Sequence, residues 1–398
     1  MTDVNHDALL RLIEAGGSTA TRRSLLDAHA GPEAALAAGA TAWRAVGCDD
    51  AQCRALDNTT ELPTQRRRAR EWLAQPGHHL IGWHDPDYPA LLRRIGNPPL
   101  ALFVAGDPGL LWHPAVAVVG SRSPTAGGRD NARDFAHAIA ATGLGVTSGL
   151  AAGIDTAAHD AALAADGITV AVLGNGIDLP YPRANAGLHA RLVERGAVVS
   201  EYMPGTEAQR GFFPARNRII AGLTLGVLVI EAAERSGALI TARLAAEAGR
   251  DVFAVPGSIH NPMARGCHRL IRDGAGLVES AREVIAAIAP LASELGAALR
   301  SRLAAPNSGA GTPADGARTA DLPDDPDYHR LWQALGHDPS GMDRLVERTG
   351  LTTAELSSML LVMELEGRVA VEHGRYSRRS HAAASTTNTA PSGAGRGK

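Results

Sequence analysis

Short apolar runs recur through the middle of the chain: Ala115-Val116-Ala117-Val118-Val119, Val146-Thr147-Ser148, Thr169-Val170-Ala171-Val172-Leu173, Val198-Val199-Ser200, residues 227–230 and Val252-Phe253-Ala254-Val255. Each has the length and β-branched content of a strand buried on both faces. Stretches of helical period lie between them, at about 128–141 and about 156–165. Strands alternating with helices of roughly 10–15 residues predict βαβ units and a parallel sheet. Ligands of such sheets bind at the carboxyl ends of the strands. Glycine-rich turns fall at those ends: Gly120-Ser121-Arg122, the segment from Gly149 to Gly153, Gly174-Asn175-Gly176 and Pro256-Gly257.

The flanking pattern differs. Residues 1–75 read as short helices punctuated by Gly16-Gly17, Gly31-Pro32 and Gly47, a small helical domain of the SAM or helix-hairpin-helix kind. Arg66-Arg67-Arg68 lies on its last helix, ending near Trp72, and reads as a solvated face. The sheet domain is expected over 76–290 and a linker over 291–325, with 306–325 rich in Pro, Gly, Ala, Ser and Asp. Residues 326–380 give helices at 328–335, 342–349 and 352–366 and then a hairpin turning at Gly374, which is a winged-helix pattern. Thr352 and Glu355 form a capping box for the third helix. That helix offers Leu356, Met359, Leu360, Met363 and Leu365 and few basic residues, so a structural or protein-binding role stands beside duplex contact through Arg375, Arg378 and Arg379. Residues 381–398 read as a disordered tail.

The fold class is therefore α/β: an extended Rossmann-like parallel-sheet core, a small N-terminal helical domain and a C-terminal winged-helix domain. The 398 residues carry a formal net charge of −3, so affinity for a polyanion must come from local patches. Cys48, Cys53 and Cys267 are too scattered for a disulfide framework and complete no zinc site. The acidic, polar start lacks the features of a signal peptide, and no apolar run reaches the ~20 residues of a membrane span. A cytoplasmic location is expected.

Three of the turns carry arginine. Gly120-Ser121-Arg122 follows a strand and opens a helix. Gly120 allows close backbone approach, Ser121 adds a hydroxyl and Arg122 a charged fork. The spacing lacks the second glycine of a dinucleotide fingerprint, and the chain's one lysine, Lys398, excludes a Walker A loop. Arg183 lies in Tyr181-Pro182-Arg183-Ala184-Asn185 at the start of another helix. Arg216, Asn217 and Arg218, in Phe213-Pro214-Ala215-Arg216-Asn217-Arg218, are placed at the mouth of a helix before the strand at 227–230. The expected phosphate contacts are Gly120, Ser121, Arg122, Arg183, Arg216, Asn217 and Arg218. Ser148, Gly149, Gly153, Asp155, Gly174, Gly176, Asn185, Glu231, Ser236 and Gly237 are expected to shape the loops. Asp155, His159, Asp178, Glu201 and Glu231 are polar residues near this edge from which a general acid and base could be assembled, but Asp155 reads more simply as a helix N-cap and His159 as a bracing histidine. Glu201 and Glu231 read as braces for arginines. No nucleophile–base pair or metal cluster stands out, so neither an enzyme nor a cofactor or metal is expected.

These motifs, together with Ser148-Gly149-Leu150-Ala151-Ala152-Gly153-Ile154-Asp155, Ala158-His159, Ile219-Ile220-Ala221-Gly222, Glu231-Ala232, the segment from Ser236 to Ala242 and Ala254-Val255-Pro256-Gly257, resemble the DNA-processing protein A (DprA/Smf) family in the family's order. Tyr88-Pro89, Leu91-Leu92 and Asn97-Pro98-Pro99 resemble the segment leading into its core. Ala152 and Asn175 depart from the residues common there. The resemblance implies a core that binds single-stranded DNA, delivery of that DNA to the RecA recombinase in recombination and natural transformation, and a homodimer. Two other readings stand beside it. A Rossmann-like nucleotide phosphoribohydrolase would carry a Pro-Gly-Gly-x-Gly-Thr loop and a nearby glutamate, where this chain has Ser236-Gly237-Ala238-Leu239-Ile240-Thr241. A duplex-binding regulator would work through the winged helix.

Overall fold

The computed structural model describes residues 3–57, 63–304, 326–335, 340–352, 356, 359, 360, 363, 369–372 and 375–378. The chain opens with six short helices: α1 (Asp3–Glu14), α2 (Thr19–Ala28), α3 (Pro32–Ala37), α4 (Gly39–Ala45), α5 (Asp50–Asp57) and α6 (Thr64–Leu73). Next come β1 (His78–Gly82), α7 (Ala90–Arg93) and β2 (Ala101–Gly106). The alternating part follows: β3 (Ala115–Val119), α8 (Ala126–Ala141), β4 (Gly145–Ser148), α9 (Ile154–Ala164), β5 (Thr169–Val172), α10 (Ala186–Arg195), β6 (Ala197–Ser200), α11 (Phe212–Gly222), β7 (Gly226–Val229), α12 (Gly237–Glu247), β8 (Asp251–Ala254), α13 (Arg265–Arg272), β9 (Gly276–Leu277) and α14 (Ala281–Ala304).

The nine strands form one sheet in the order β1-β2-β6-β5-β4-β3-β7-β8-β9. From β6 to β9 every pairing is parallel, with Val116 beside Val146 and Val118 beside Leu228. The expectation of a parallel sheet needs one correction: β1 and β2 join antiparallel at the β6 edge. Apolar stretches before residue 115 build this edge; Leu102 and Val104 face one side, Phe103 and Ala105 the other. The chain moves outward from β3 through β6, then returns to place β7 on the other side of β3. That reversal sets a topological switch point between β3 and β7.

Alternate residues of each strand feed the two faces. On one face Ala117, Val119, Val172, Val199, Val227 and Val229 pack with Ile219 and Ile220 of α11 and Ala238 and Ala242 of α12. On the other, Val116, Val118, Val146 and Leu228 pack with Phe135 and Ile139 of α8, Ala158 of α9 and Ile288 of α14. The N-terminal helices contribute Leu9, Leu12, Leu25, Trp43 and Leu56 to a cluster that continues into Phe103, Ala171 and Val198 of the sheet. The helices expected as a separate domain thus share a core with the sheet, and residues 1–307 form one compact unit. Helix α14 runs on to Ala304, so the linker expected from 291 is helical in its first part; the apolar side of α14 continues through Ala292 and Leu295.

Residues 308–398 form a second unit. It holds α15 (Pro326–Ala334), β10 (Ser340–Gly341), α16 (Met342–Thr349), β11 (Val369–Glu372) and β12 (Arg375–Arg378), with the strands in the order β10-β12-β11. Leu331, Leu335, Leu345, Leu356, Met359, Leu360 and Met363 form its core. The rest of the expected third helix, the turn at Gly374, the side chains of Arg375 and Arg378, Arg379, the tail and residues 305–325 lie outside the described residues. No helix among the described residues is long and apolar enough to cross a membrane.

Candidate functional site

A cavity of about 680 Å³ opens at the switch point. Its lining comes from six places: Gly120, Ser121, Arg122 and Ser123 after β3; Ala151 and Asp155 after β4; Tyr181 after β5; Arg210, Phe213, Arg216 and Asn217 at α11; Arg235, Ser236, Gly237 and Thr241 at α12; and Met263 after β8. Backbone bonds tie the loops together. Ser121 N donates to Glu231 O (2.8 Å), and Ile154 N donates to Ser121 O (3.1 Å). A Cβ on Gly120 would stand 2.9 Å from Glu231 O, so only glycine fits between the strands here. The Glu231 carboxylate was expected to hold an arginine. Instead it accepts from Thr125 N (2.9 Å), Thr125 Oγ1 (2.6 Å) and Asn261 Nδ2 (3.2 Å), clamping the start of α8 to the end of β7.

The floor of the cavity is locked. Phe212, Phe213 and Pro214 form the first turn of α11, which moves Arg216 from the expected helix mouth into the second turn. Its side chain is only 4% exposed. The guanidinium donates to Gly149 O (2.7 Å), Val172 O and Asn217 Oδ1 (3.1 Å). Burial, with Arg122 adding, brings its pKa down to about 10 against the pull of Asp155. A Cβ on Gly149 would collide with this guanidinium. Asp155 is not the N-cap of α9; Gly153 holds that position at φ +87°. From the first turn Asp155 reaches back to Gly149 N (3.1 Å) and Ala151 N (3.3 Å), and burial pushes its carboxyl pKa up against the opposing effect of Arg216. Leu150 between them sits at φ +56°, a left-handed conformation held by a fully buried side chain.

The other loop residues brace this floor. Asn217 Nδ2 donates to Gly237 O (3.2 Å). Asn185 Nδ2 donates to Leu150 O and Thr156 Oγ1, both at 2.9 Å. Ser148 Oγ donates to Val118 O (2.6 Å). Gly174 lies under Phe213, and a Cβ on Gly176 would stand 2.8 Å from Met203 O. His159 is buried; burial, with Arg216 adding, pulls its pKa to about 3. Thr169 Oγ1 spends its proton on Val146 O (2.8 Å), so it accepts from His159 Nδ1 at 2.7 Å, which fixes the imidazole tautomer. Asp178 accepts from Arg68 Nε (3.0 Å) and Gly205 N (2.7 Å), holding α6 against the loop after β5.

The rim is exposed. The Arg122 guanidinium carbon stands 5.4 Å from the Phe213 ring centre, and the half-exposed Tyr181 ring lies 5.1 Å from the same ring. Arg210 and Arg235 complete the rim. The N-terminus of α12 opens here, with Ser236 Oγ accepting from Ala238 N (3.3 Å). Its backbone N–H groups and partial positive charge favour an anion. Asp155, already engaged, is the only carboxylate among the described residues lining the cavity. Two expected contacts lie elsewhere. Arg183 is exposed and outside the lining. Arg218 projects from α11 onto Glu201 in an ion pair of 2.5 Å, because two residues along a helix turn the side chain by about 200° from Arg216. Glu201 thus braces an arginine as expected. Arg210 and Arg235 were not singled out from the sequence. Arg235 directly precedes Ser236-Gly237, and Arg210 precedes the aromatic pair Phe212-Phe213, and these adjacencies were the available signals.

An arginine rim with paired aromatics, set over a helix N-terminus, suits a polyanion that also presents flat rings. The model of the family described as DNA recombination-mediator protein A matches residues 79–289, which include every residue lining the cavity. The chain belongs to the DNA-processing protein A (DprA/Smf) family. The model of the DprA winged helix domain matches residues 315–375. Among curated relatives, Protein Smf of Escherichia coli K12 is 42% identical over 308 residues, covering 77% of this chain and 79% of that one. DNA processing protein DprA of Streptococcus pneumoniae R6 is 49% identical over 202 residues, covering 51% and 71%. The X-ray structure of DprA from Streptococcus pneumoniae superimposes with a TM-score of 0.63 at 37% identity, covering 72% of this chain and 98% of that one.

Proposed function

We propose that the switch-point cavity binds single-stranded DNA by its phosphate backbone, and that the protein is a non-catalytic mediator that passes the strand to the RecA recombinase. The observation that carries this reading is the exposed rim: Arg122, Arg210 and Arg235 around Tyr181 and Phe213, with no unengaged carboxylate in the described lining. Forked guanidinium groups suit phosphate oxygens, and rings stack on unpaired bases. The backbone of a flexible single strand can track such a set of charges while its bases meet the rings. Membership of a DNA-processing family supports the substrate class. The RecA partner and the homodimer rest on the family resemblance, and the cytoplasmic setting is the expectation drawn from the sequence.

The test is fluorescence anisotropy with labelled oligothymidylate, followed by RecA filament assembly on DNA coated with single-strand-binding protein. Tight binding that weakens in Arg122→Ala, with faster filament assembly by the wild type, is the expected result. Preference for duplex would move the site to the winged helix. Release of a nucleobase from a nucleoside monophosphate would establish the phosphoribohydrolase reading instead.

A further inference from the structure

Beside the main cavity lies a smaller one, about 260 Å³, lined by Arg235, Arg265, Arg269, Arg272 and Glu234. Arg265, Arg269 and Arg272 are spaced four and three residues apart on α13, so they form one stripe on one helix face. The opposite face holds the helix down: Cys267 is fully buried, and Leu270 and Ile271 pack against the core. The start of α13 is tied to the loop that carries Arg235. Ala232 N donates to Met263 O, and Gly266 N donates to Ala232 O, both at 2.7 Å. A Cβ on Gly266 would stand 2.5 Å from Ala232 O, so this close approach requires glycine. Arg235 lines both cavities and makes them neighbours.

Helix electrostatics do not account for the stripe. Cations near a helix C-terminus are favoured, which explains Arg269 and Arg272. Arg265 is the first residue of α13, where the partial charge is positive and an arginine is disfavoured. Arginines three and four apart also repel one another. Arg269 meets Asp273 at 3.5 Å with both side chains exposed, and Glu234 is the one carboxylate in the lining. Four guanidinium groups therefore face one small space with too few carboxylates to neutralise them.

We propose that a strand leaving the main cavity crosses a second phosphate subsite formed by Arg235 and the Arg265, Arg269 and Arg272 stripe of α13. This inference rests on the single-strand reading of the main cavity. It gives the bound strand a direction, from the loop after β3 toward the β9 edge of the sheet. It also predicts that binding strengthens once an oligonucleotide is long enough to reach α13.

The experiment compares two lengths of oligothymidylate, about five and about 20 nucleotides, on the full-length protein. In Arg265→Ala/Arg272→Ala, binding of the longer oligonucleotide is expected to fall at least about tenfold, and its log–log salt slope to become shallower by about 1.4 for two lost phosphate contacts. Binding of the shorter one is expected to change less than about twofold. Lysine at both positions should restore most of the loss. Equal changes at both lengths, or none at the longer, would overturn the subsite. Unchanged DNA binding with lost RecA filament assembly would overturn it in favour of a protein contact. Arg122→Ala separates the two claims: it should weaken both lengths, and wild-type binding in that variant would refute the main cavity itself.

Discussion

Arg216 and Arg122 line the same cavity and belong to motifs of the same appearance, yet the fold uses them in opposite ways. Arg216 is buried under α11, with its donors spent on Gly149 O, Val172 O and Asn217 Oδ1. Arg122 is exposed on the rim over Phe213. The floor resists change because any loss there orphans buried polar groups. The rim keeps donors available because solvent satisfies them until a ligand replaces it. An arginine in a motif is thus a ligand candidate only after its backbone position shows which way it points.

The sharpest way to break this contrast is Arg216→Ala. Removal would leave Gly149 O and Val172 O without these donors and strip Asp155 of its nearest positive influence. Breaking such a buried charged network costs about 3–5 kcal/mol. Urea unfolding followed by circular dichroism should show that loss. A variant of wild-type stability that no longer binds DNA would return Arg216 to the class of the rim.

The next largest effect is a pH dependence confined to the floor. His159 has a folded pKa of about 3, against an ordinary value near ~6.5 in the unfolded chain. Between these values the unfolded state holds the extra proton, so stability is complete above the unfolded value and falls as pH drops. The slope is about 1.4 kcal/mol per pH unit, or about 2 kcal/mol from pH ~6.5 to ~5. Asp155 acts with the opposite sign, since its raised carboxyl pKa lets the folded state keep a proton that the unfolded chain releases. Comparing the wild type with His159→Asn cancels the Asp155 contribution, because both proteins retain it. Parallel stability–pH curves for the two would show that His159 is not buried in its neutral form.

Much of this architecture is legible in the chain. The apolar runs from 115 to 255 became β3 to β8 because strands buried on both faces need continuous apolar residues. The glycine turns fall at their carboxyl ends for the same topological reason. What the chain does not display is side-chain direction. The motif puts Arg216 at a helix mouth, whereas in the fold Phe212, Phe213 and Pro214 already belong to the helix. Asp155 fits an N-cap by type, but Gly153 takes the cap and frees the carboxylate to gather loop amides. Arg235 directly precedes Ser236-Gly237 and Arg210 precedes Phe212-Phe213, but that these arginines reach the rim is set by the folded loops. The helical period near 66–73 hid a further link: Arg66 is buried on Glu14 at 3.1 Å, so the Arg66-Arg67-Arg68 run is not one solvated face.

The rim itself is tested by Arg122→Ala, Arg210→Ala and Arg235→Ala. Each should weaken oligothymidylate binding by about 1.5 kcal/mol, close to tenfold, with unchanged urea unfolding. If three phosphates are neutralised, the wild-type log–log salt slope should be near about −2, and each variant should lose about 0.7 of it. A salt-independent affinity would assign the binding to Tyr181 and Phe213 rather than to charge.

The smallest expected effect on binding is the most discriminating one, at Arg218. By sequence it is as good a phosphate contact as Arg216, two residues away in the same motif. In the fold it turns toward Glu201, at 2.5 Å, with side-chain exposures of 14% and 16% for the pair, and it lies outside the cavity lining. Tyr88 and Arg23 are within its electrostatic reach. Arg218→Gln should therefore leave oligothymidylate affinity within about twofold and the salt slope unaltered, since no phosphate contact is lost. Stability should fall by about 1–3 kcal/mol, because Glu201 would keep a largely buried charge without its partner. The double variant Arg218→Gln/Glu201→Gln should recover part of that stability, which a direct DNA contact would not explain. If Arg218→Gln instead weakens binding as much as Arg122→Ala, the ion pair opens in the complex, and the division between a fixed floor and an available rim fails at this residue.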